Sequence, residues 1–199
     1  MSLWIKICGL TRSDAVAAAL DARVDAIGFV FSSSRRWQAP SAAAALAEPA
    51  RGRICRVAVA RHPSQQLIDD IVSVFDPDAL QVDWTDLASL RLPRELALLP
   101  VLRSGDALPE PLPARVLYEG PASGAGVVCD WRAAQSVAAR TELVLAGGLD
   151  ARNVGDAIRS VRPFGVDVSS GVESEPGIKS PALMQDFIAS ARAAWRECP

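Results

Sequence analysis

The sequence predicts an α/β protein, a single-domain (β/α)8 TIM barrel. Three observations predict it. Apolar runs of strand length alternate with helical patterns along the chain. The runs are apolar nearly throughout, as strands covered on both faces are. Eight such runs can be read, and closing eight parallel strands into a ring removes both sheet edges. The 199 residues shared by eight units give roughly 25 per unit, near the lower limit of that fold. An open doubly wound sheet is the structural alternative, weakened by the missing GxGxxG after the first run. No linker interrupts the alternation, so residues 1–199 are expected to form one domain.

The elements follow in order. Residues 3–8 form a short strand, and Ser13 is positioned to cap an alanine-rich helix over 13–24. "AIGFVF" (26–31) is a continuous apolar strand, followed by a polar turn and an alanine-rich segment, 41–50. Residues 54–60 make the third strand, and Ser64 caps a helix reaching residue 74. The fourth strand, 79–82, precedes a brief helix after Thr85, and 96–102 is the fifth. The proline-rich stretch 104–114 carries no helical pattern. The sixth strand, 115–118, leads into the glycine loop "EGPASGAG" and a helix over 131–140. Residues 142–146 are the seventh strand, then "GGLD" and a helix over 153–161. Residues 164–168 are the eighth, and the last helix covers 181–196.

Half the residues are hydrophobic and 22% are charged, enough apolar surface for a sizeable core. The formal charge of −2 argues against a nucleic-acid or anionic-membrane surface. No export signal precedes the first strand and no apolar run reaches membrane-spanning length, so a cytoplasmic protein is expected. The four cysteines (Cys8, Cys55, Cys129, Cys198) show no paired spacing and read as reduced thiols. His62 is the only histidine, which removes most histidine-based metal and triad schemes.

In a barrel of this kind, chemistry sits at the C-terminal ends of the strands. The residues just past each apolar run are Cys8, Ser32 to Arg36, Arg61 and His62, Asp83, Arg103, Glu119 to Asp130, Gly147 and Gly148, and Ser169 to Gly171. Side chains alternate along a strand, so Lys6 and Cys8 face the interior while Ile5 and Ile7 face the helices. A buried lysine needs a counter-charge. Strand eight neighbours strand one in a closed ring, and Asp167 has the inward parity, so a Lys6–Asp167 pair is expected. "AGGLD" and "DVSSGVE" end strands seven and eight, where phosphate sites of these barrels form. Glycine lets main-chain N–H groups approach an anion, although either segment alone reads equally as an ordinary turn. Arg35 and Arg36 follow strand two; a guanidinium there binds a carboxylate or phosphate, or is simply solvated. Strand pattern alone leaves Cys8 open between a reactive group and an inert buried thiol.

The segments "KICGLT", "DAIGFVF…SRRW", "CDW", "LAGGLDARNV" and "RPFGVDVSSGVESEPGIKS", from Lys6 to Ser180, resemble the phosphoribosylanthranilate isomerase family of tryptophan biosynthesis. The resemblance implies a (β/α)8 barrel that converts N-(5-phosphoribosyl)anthranilate to the aminodeoxyribulose phosphate by an Amadori rearrangement, with no cofactor and no metal. It implies that Cys8 is the general base, Asp130 the general acid, and Arg36 the arginine that holds the anthranilate carboxylate. Gly147, Gly148, Ser169, Ser170 and Gly171 match the phosphate-binding turns, and Asp167 is counted with the substrate-binding positions. The expected partner is a small phosphosugar substrate, with no nucleic acid and no membrane, and the chain is expected to be a monomer or weak homodimer.

That chemistry requires a proton for the ribose ring oxygen and a base on the opposite face for the carbon-bound proton. Positioned groups of this kind contribute typically about 10²–10⁴-fold. An ordinary thiol is only a few per cent ionised at about pH 7, so the Cys8 pKa is expected to be lowered, with Lys6 the candidate cause. Asp130 is expected to hold its proton longer, through burial beneath the glycine loop or nearby negative charge. Against the family pattern, "AVARHPS" follows strand three with Arg61 and His62. After strand four "QVDW" puts Asp83 and Trp84 where a histidine and a glycine are usual. Two rivals are a related aminoaldose-phosphate isomerase of histidine biosynthesis, which works with two aspartates, and a degenerate barrel that only binds a phosphorylated ligand. Cys8 at the first strand end argues against the former.

Overall fold

Alternation in the first strand sets the interior. In the computed structural model, which describes residues 2–121 and 129–198, β1 (Trp4–Cys8) turns Ile5 and Ile7 outward into the layer shared with the helices, both fully buried. Each such side chain contributes about 1.5–3 kcal/mol on leaving water. Lys6 and Cys8 point the other way, into the barrel, as their parity requires.

Seven more strands follow: β2 (Ala26–Val30), β3 (Cys55–Val59), β4 (Ala79–Asp83), β5 (Ala97–Arg103), β6 (Arg115–Glu119), β7 (Glu142–Leu145) and β8 (Gly165–Val168). They pair in sequence order, every ladder parallel, and β8 returns to β1, closing the ring. The closed ring, not the open sheet, is the observed topology. Two small apolar clusters fill its lower interior: Leu99, Val101, Leu117, Val144 and Ala146, and then Ala26, Val57 and Ala79, with Trp4 packed against both. Above this plug the ring opens into a cavity at its C-terminal mouth.

The helices form the outer layer: α1 (Ser13–Asp21), α2 (Pro40–Ala47), α3 (Gln65–Asp70), α4 (Trp131–Ala138), α5 (Val154–Val161) and α6 (Pro181–Glu197). Several ends differ from the sequence expectation. Ser13 does not cap α1. It is the first helical residue, the cap position is Arg12, and Asp14 accepts the Ala15 N–H instead. α1 also stops early, because Arg23 turns left-handed (φ 52°) to lead into β2. Ser64 does cap α3, accepting the Leu67 N–H, but the helix loosens into a π-turn over Ile71–Phe75 before Asp76 ends it at φ 51°. The segment after β4 is a 3-10 turn, Trp84–Ser89. Residues 104–114 carry no helix, as their prolines require. A hairpin not anticipated from the sequence, β9 (Glu173–Glu175) and β10 (Ile178–Lys179), follows β8. Among the described residues no helix is long and apolar enough to cross a membrane. Most of the glycine loop, residues 122–128, lies outside the described residues.

Candidate active site

A cavity of about 220 Å³ opens at the C-terminal mouth of the ring. Cys8, Arg36, Gly147, Gly148, Asp167, Ser169 and Ser170 all line it. The structure therefore brings together residues from the β1, β2, β7 and β8 ends that the sequence singled out separately.

The β1–β8 corner holds the thiol. Lys6 pairs with Asp167 in the ladder register and donates to its Oδ1 at 3.0 Å, the expected pair. On β2, Gly28 makes room for this corner: a Cβ there would lie 3.0 Å from Cys8 Sγ and 3.1 Å from Lys6 Cε. Burial works to lower the Lys6 pKa, but Asp167 and Cys8 outweigh it and hold the ammonium above its ordinary value. The Cys8 thiol is pushed up by burial, with Asp167 adding to the rise. Lys6 and Lys179 pull it back only in part. The lowering expected from Lys6 alone is thus reversed, because a buried thiolate loses more hydration than one neighbouring cation, itself tied to a carboxylate, restores.

On the other side of Cys8 are the two glycine turns. Gly147 and Gly148 both take left-handed backbone (φ 89° and 64°), and Asn153 Nδ2 ties the turn by donating to the Gly148 carbonyl at 2.8 Å. A Cβ at Gly171 would run into the Leu149 carbonyl oxygen, so the β7 and β8 turns meet only because residue 171 lacks one. Ser169 Oγ donates to the Cys8 carbonyl at 3.0 Å, and a short 3-10 turn, Ser170–Val172, follows.

Arg36 reaches the cavity from the loop after β2. Its stem crosses Gly9, where a Cβ would come within 2.5 Å of Arg36 Cδ. Glycine after Cys8 in "KICG" is therefore a clearance for the arginine as well as a left-handed turn (φ 76°). Arg36 Nε and Nη2 donate to Glu173 at 2.6 and 2.9 Å. Arg35, its neighbour, does not line the cavity.

The β4–β6 wall is ionic. Arg103 donates to Asp83 at 2.6 Å and to Glu119 at 3.1 Å, and all three line the cavity with Gln81. Arg61 lines the rim, while Trp84 starts the 3-10 turn outside the cavity. His62, Asp83 and Asp86 bring one potential metal ligand each within 4.8 Å. His62 Nδ1 lies 3.0 Å from Asp86 Oδ1, the His62 main-chain N–H donates to Asp86 Oδ2, and Asp83 Oδ1 accepts from Arg103.

Asp130 stands apart. It is exposed, does not line the cavity, and caps α4 through Oδ1, which accepts the Arg132 and Ala133 N–H groups at 2.9 and 3.2 Å. The burial expected for it is not found among the described residues, and the loop expected to cover it is residues 122–128. Cys129 beside it is buried in the helix-facing core. The sequence reading assigned nothing to Asn153, Glu173 or Lys179. Each lies in a quoted segment, but its role depends on contacts across turns that no periodicity encodes.

Comparison with known proteins bears on the whole chain. Residues 5–190 match the family described as N-(5'-phosphoribosyl)anthranilate (PRA) isomerase. The N-(5'-phosphoribosyl)anthranilate isomerase of Mesorhizobium japonicum is 38% identical, with 98% of this chain and 97% of that protein aligned. The crystal structure of phosphoribosyl anthranilate isomerase from Thermus thermophilus superposes with a TM-score of 0.83 at 26% identity, covering 96% of this chain and 99% of that one. A phosphoribosyl anthranilate isomerase solved in complex with reduced 1-(o-carboxyphenylamino)-1-deoxyribulose 5-phosphate superposes at 0.77, with 28% identity over 96% and 99%.

Proposed function

The chain belongs to the N-(5'-phosphoribosyl)anthranilate isomerase family, and from that premise we propose that it isomerises N-(5'-phosphoribosyl)anthranilate by an Amadori rearrangement with Cys8 as base and Asp130 as acid. The observation that carries the reading is one cavity shared by a thiol, two glycine turns and an arginine. The turn N–H groups and Ser169 and Ser170 suit a phosphate, and the arginine suits a carboxylate.

Asp130 gives a proton to the ribose ring oxygen, the C1–O bond breaks, and the nitrogen lone pair forms a Schiff base. Its positive nitrogen acidifies the neighbouring C2–H. Cys8, as thiolate, removes that proton, and the electron pair moves onto nitrogen to give the enolamine, which tautomerises to the ketone. Lys6 stabilises the thiolate while Asp167 keeps the lysine in place. The donating oxygen of Asp130 is Oδ2, which carries no hydrogen bond among the described residues, whereas Oδ1 is taken by the α4 cap. Arg36 fixes the anthranilate carboxylate and so the face of the sugar presented to Cys8.

Purified protein is expected to consume N-(5'-phosphoribosyl)anthranilate, followed as loss of its fluorescence. Binding of the reduced product analogue without any consumption would instead mark a non-catalytic barrel. Turnover of the histidine-pathway aminoaldose phosphate alone would replace the substrate assignment.

A further inference from the structure

The carboxylate of Glu173 accepts four hydrogen bonds. Oε1 takes Arg36 Nε at 2.6 Å and Lys179 Nζ at 2.7 Å; Oε2 takes Arg36 Nη2 at 2.9 Å and the Gly177 N–H at 3.1 Å. An ionised carboxylate has about four acceptor sites, so this one has no capacity left for a ligand. Glu173 and Lys179 are nearly sealed from solvent, with side chains 5% and 0% exposed, whereas Arg36 keeps 16% and lines the cavity.

A guanidinium offers five N–H donors in one plane. Glu173 engages Nε and Nη2 of Arg36, which leaves Nη1 and the second hydrogen of Nη2 as a fork of the spacing a second carboxylate accepts. Two cations, Arg36 and Lys179, share the single anion Glu173. The group therefore carries a net positive charge next to the cavity, which an incoming carboxylate neutralises.

From this geometry we infer that Glu173 is a positioning residue: it locks the Arg36 fork in the orientation that reads the substrate's aromatic carboxylate, so it sets selectivity for a carboxylated arylamine without touching it. The inference rests on the reading of Arg36 given above. The β9–β10 hairpin that carries the clamp is itself pinned. Thr11 Oγ1 donates to the Gly177 carbonyl at 2.8 Å, and a Cβ at Gly177 would lie 2.7 Å from the Arg35 carbonyl oxygen, so the turn seats directly on the loop that carries Arg36. Burial works to raise the Glu173 pKa, but Arg36, Lys179 and the Gly177 N–H outweigh it and hold it at about 2. The clamp is thus ionised throughout the neutral range.

Calorimetric titration with two probes tests this: the reduced 1-(o-carboxyphenylamino)-1-deoxyribulose 5-phosphate and its counterpart without the ring carboxyl. Wild type is expected to prefer the carboxylated probe by about tenfold or more, the worth of a charge-assisted bidentate contact. Glu173→Gln, and Glu173→Asp with its shorter reach, should shrink that preference to about threefold or less while holding the carboxyl-free probe within about threefold of wild type. An undiminished preference, or an equal loss for both probes, overturns the inference. No preference in wild type would instead remove Arg36 from its carboxylate role. Should neither variant fold, nitrogen-15 spectra of ligand-free wild type decide. The Arg36 Nε–H, assigned by its loss in Arg36→Ala, should be a sharp, exchange-protected resonance before any probe is added. An Nε–H that sharpens only on probe binding means that no clamp is preformed.

Discussion

Lys6 Nζ stands 3.0 Å from Asp167 Oδ1, the two residues lying opposite one another across the β1–β8 ladder and 161 positions apart in the chain. Cys8 projects from the same face of β1, so the pair and the thiol form one buried unit. Lys6→Met leaves the Asp167 charge without its partner and is expected to cost about 3–5 kcal/mol in urea unfolding. Replacing both, as Lys6→Met with Asp167→Leu, should recover much of the stability but none of the activity. Stability unchanged by Lys6→Met would mean the pair is not buried as described.

Cys8→Ser and Asp130→Asn should each lower kcat by at least about 10²-fold, the scale of a positioned acid or base. Wild-type rates in either variant would remove that residue from its role. Arg36→Ala should act mainly on KM, since its contact is made in the ground state as well.

The upward shift of Cys8 gives a pH dependence. As the proposed base it works as the thiolate, and burial holds the folded pKa above the ordinary 9.0. The ultraviolet thiolate absorbance that Cys8→Ser removes should therefore appear only above pH 9, changing about tenfold per unit on the acid side of that pKa. Thiolate absorbance from Cys8 already present at neutral pH would mean that the thiol ionises early and that burial does not hold it up.

Gly9→Ala tests the clearance under Arg36. The new methyl meets the arginine stem and sits at φ 76°, so a stability loss of about 1–2 kcal/mol is expected with a raised KM and a nearly preserved kcat. An unchanged KM would show that the stem has another route.

Acid unfolding reports on Glu173. Its folded pKa is lowered from 4.5 to about 2. As pH falls below 4.5 the unfolded chain takes up the proton first. The contribution of this group is complete above 4.5 and is lost on the way down to 2. Glu173→Gln should be less stable than wild type at pH 7, and the gap in urea midpoints should close toward pH 2. A constant gap would show that the carboxyl's charge contributes nothing.

The barrel was legible because its signals are local. Strand parity alone put Lys6 and Cys8 inward and matched Asp167 to Lys6 once the ring was assumed closed. Helix ends were less legible. Arg23 and Asp76 adopt left-handed backbone that their residue types do not announce. Of the residues the sequence singled out, Cys8, Arg36, Gly147 and Gly148 meet in one cavity, whereas Asp130, named by the same family motifs, lies outside it. Glu173 and Lys179 were not legible, because their partners come from the loop after β2 and the turn after β8. The sign of the Cys8 shift was missed for a similar reason: one neighbouring cation can be read from a sequence, but the loss of water around a sulfur cannot.

The β1–β8 seam also orders events during synthesis. A ribosome delivers the lysine of the opening strand long before the aspartate that will neutralise it. A nascent chain ending short of residue 165 holds an ammonium that cannot enter a dry interior. The first strand must then wait, loosely held, until the final strand arrives. Closure of the cylinder and pairing of its buried ammonium therefore belong to the same step, since both need the last strand.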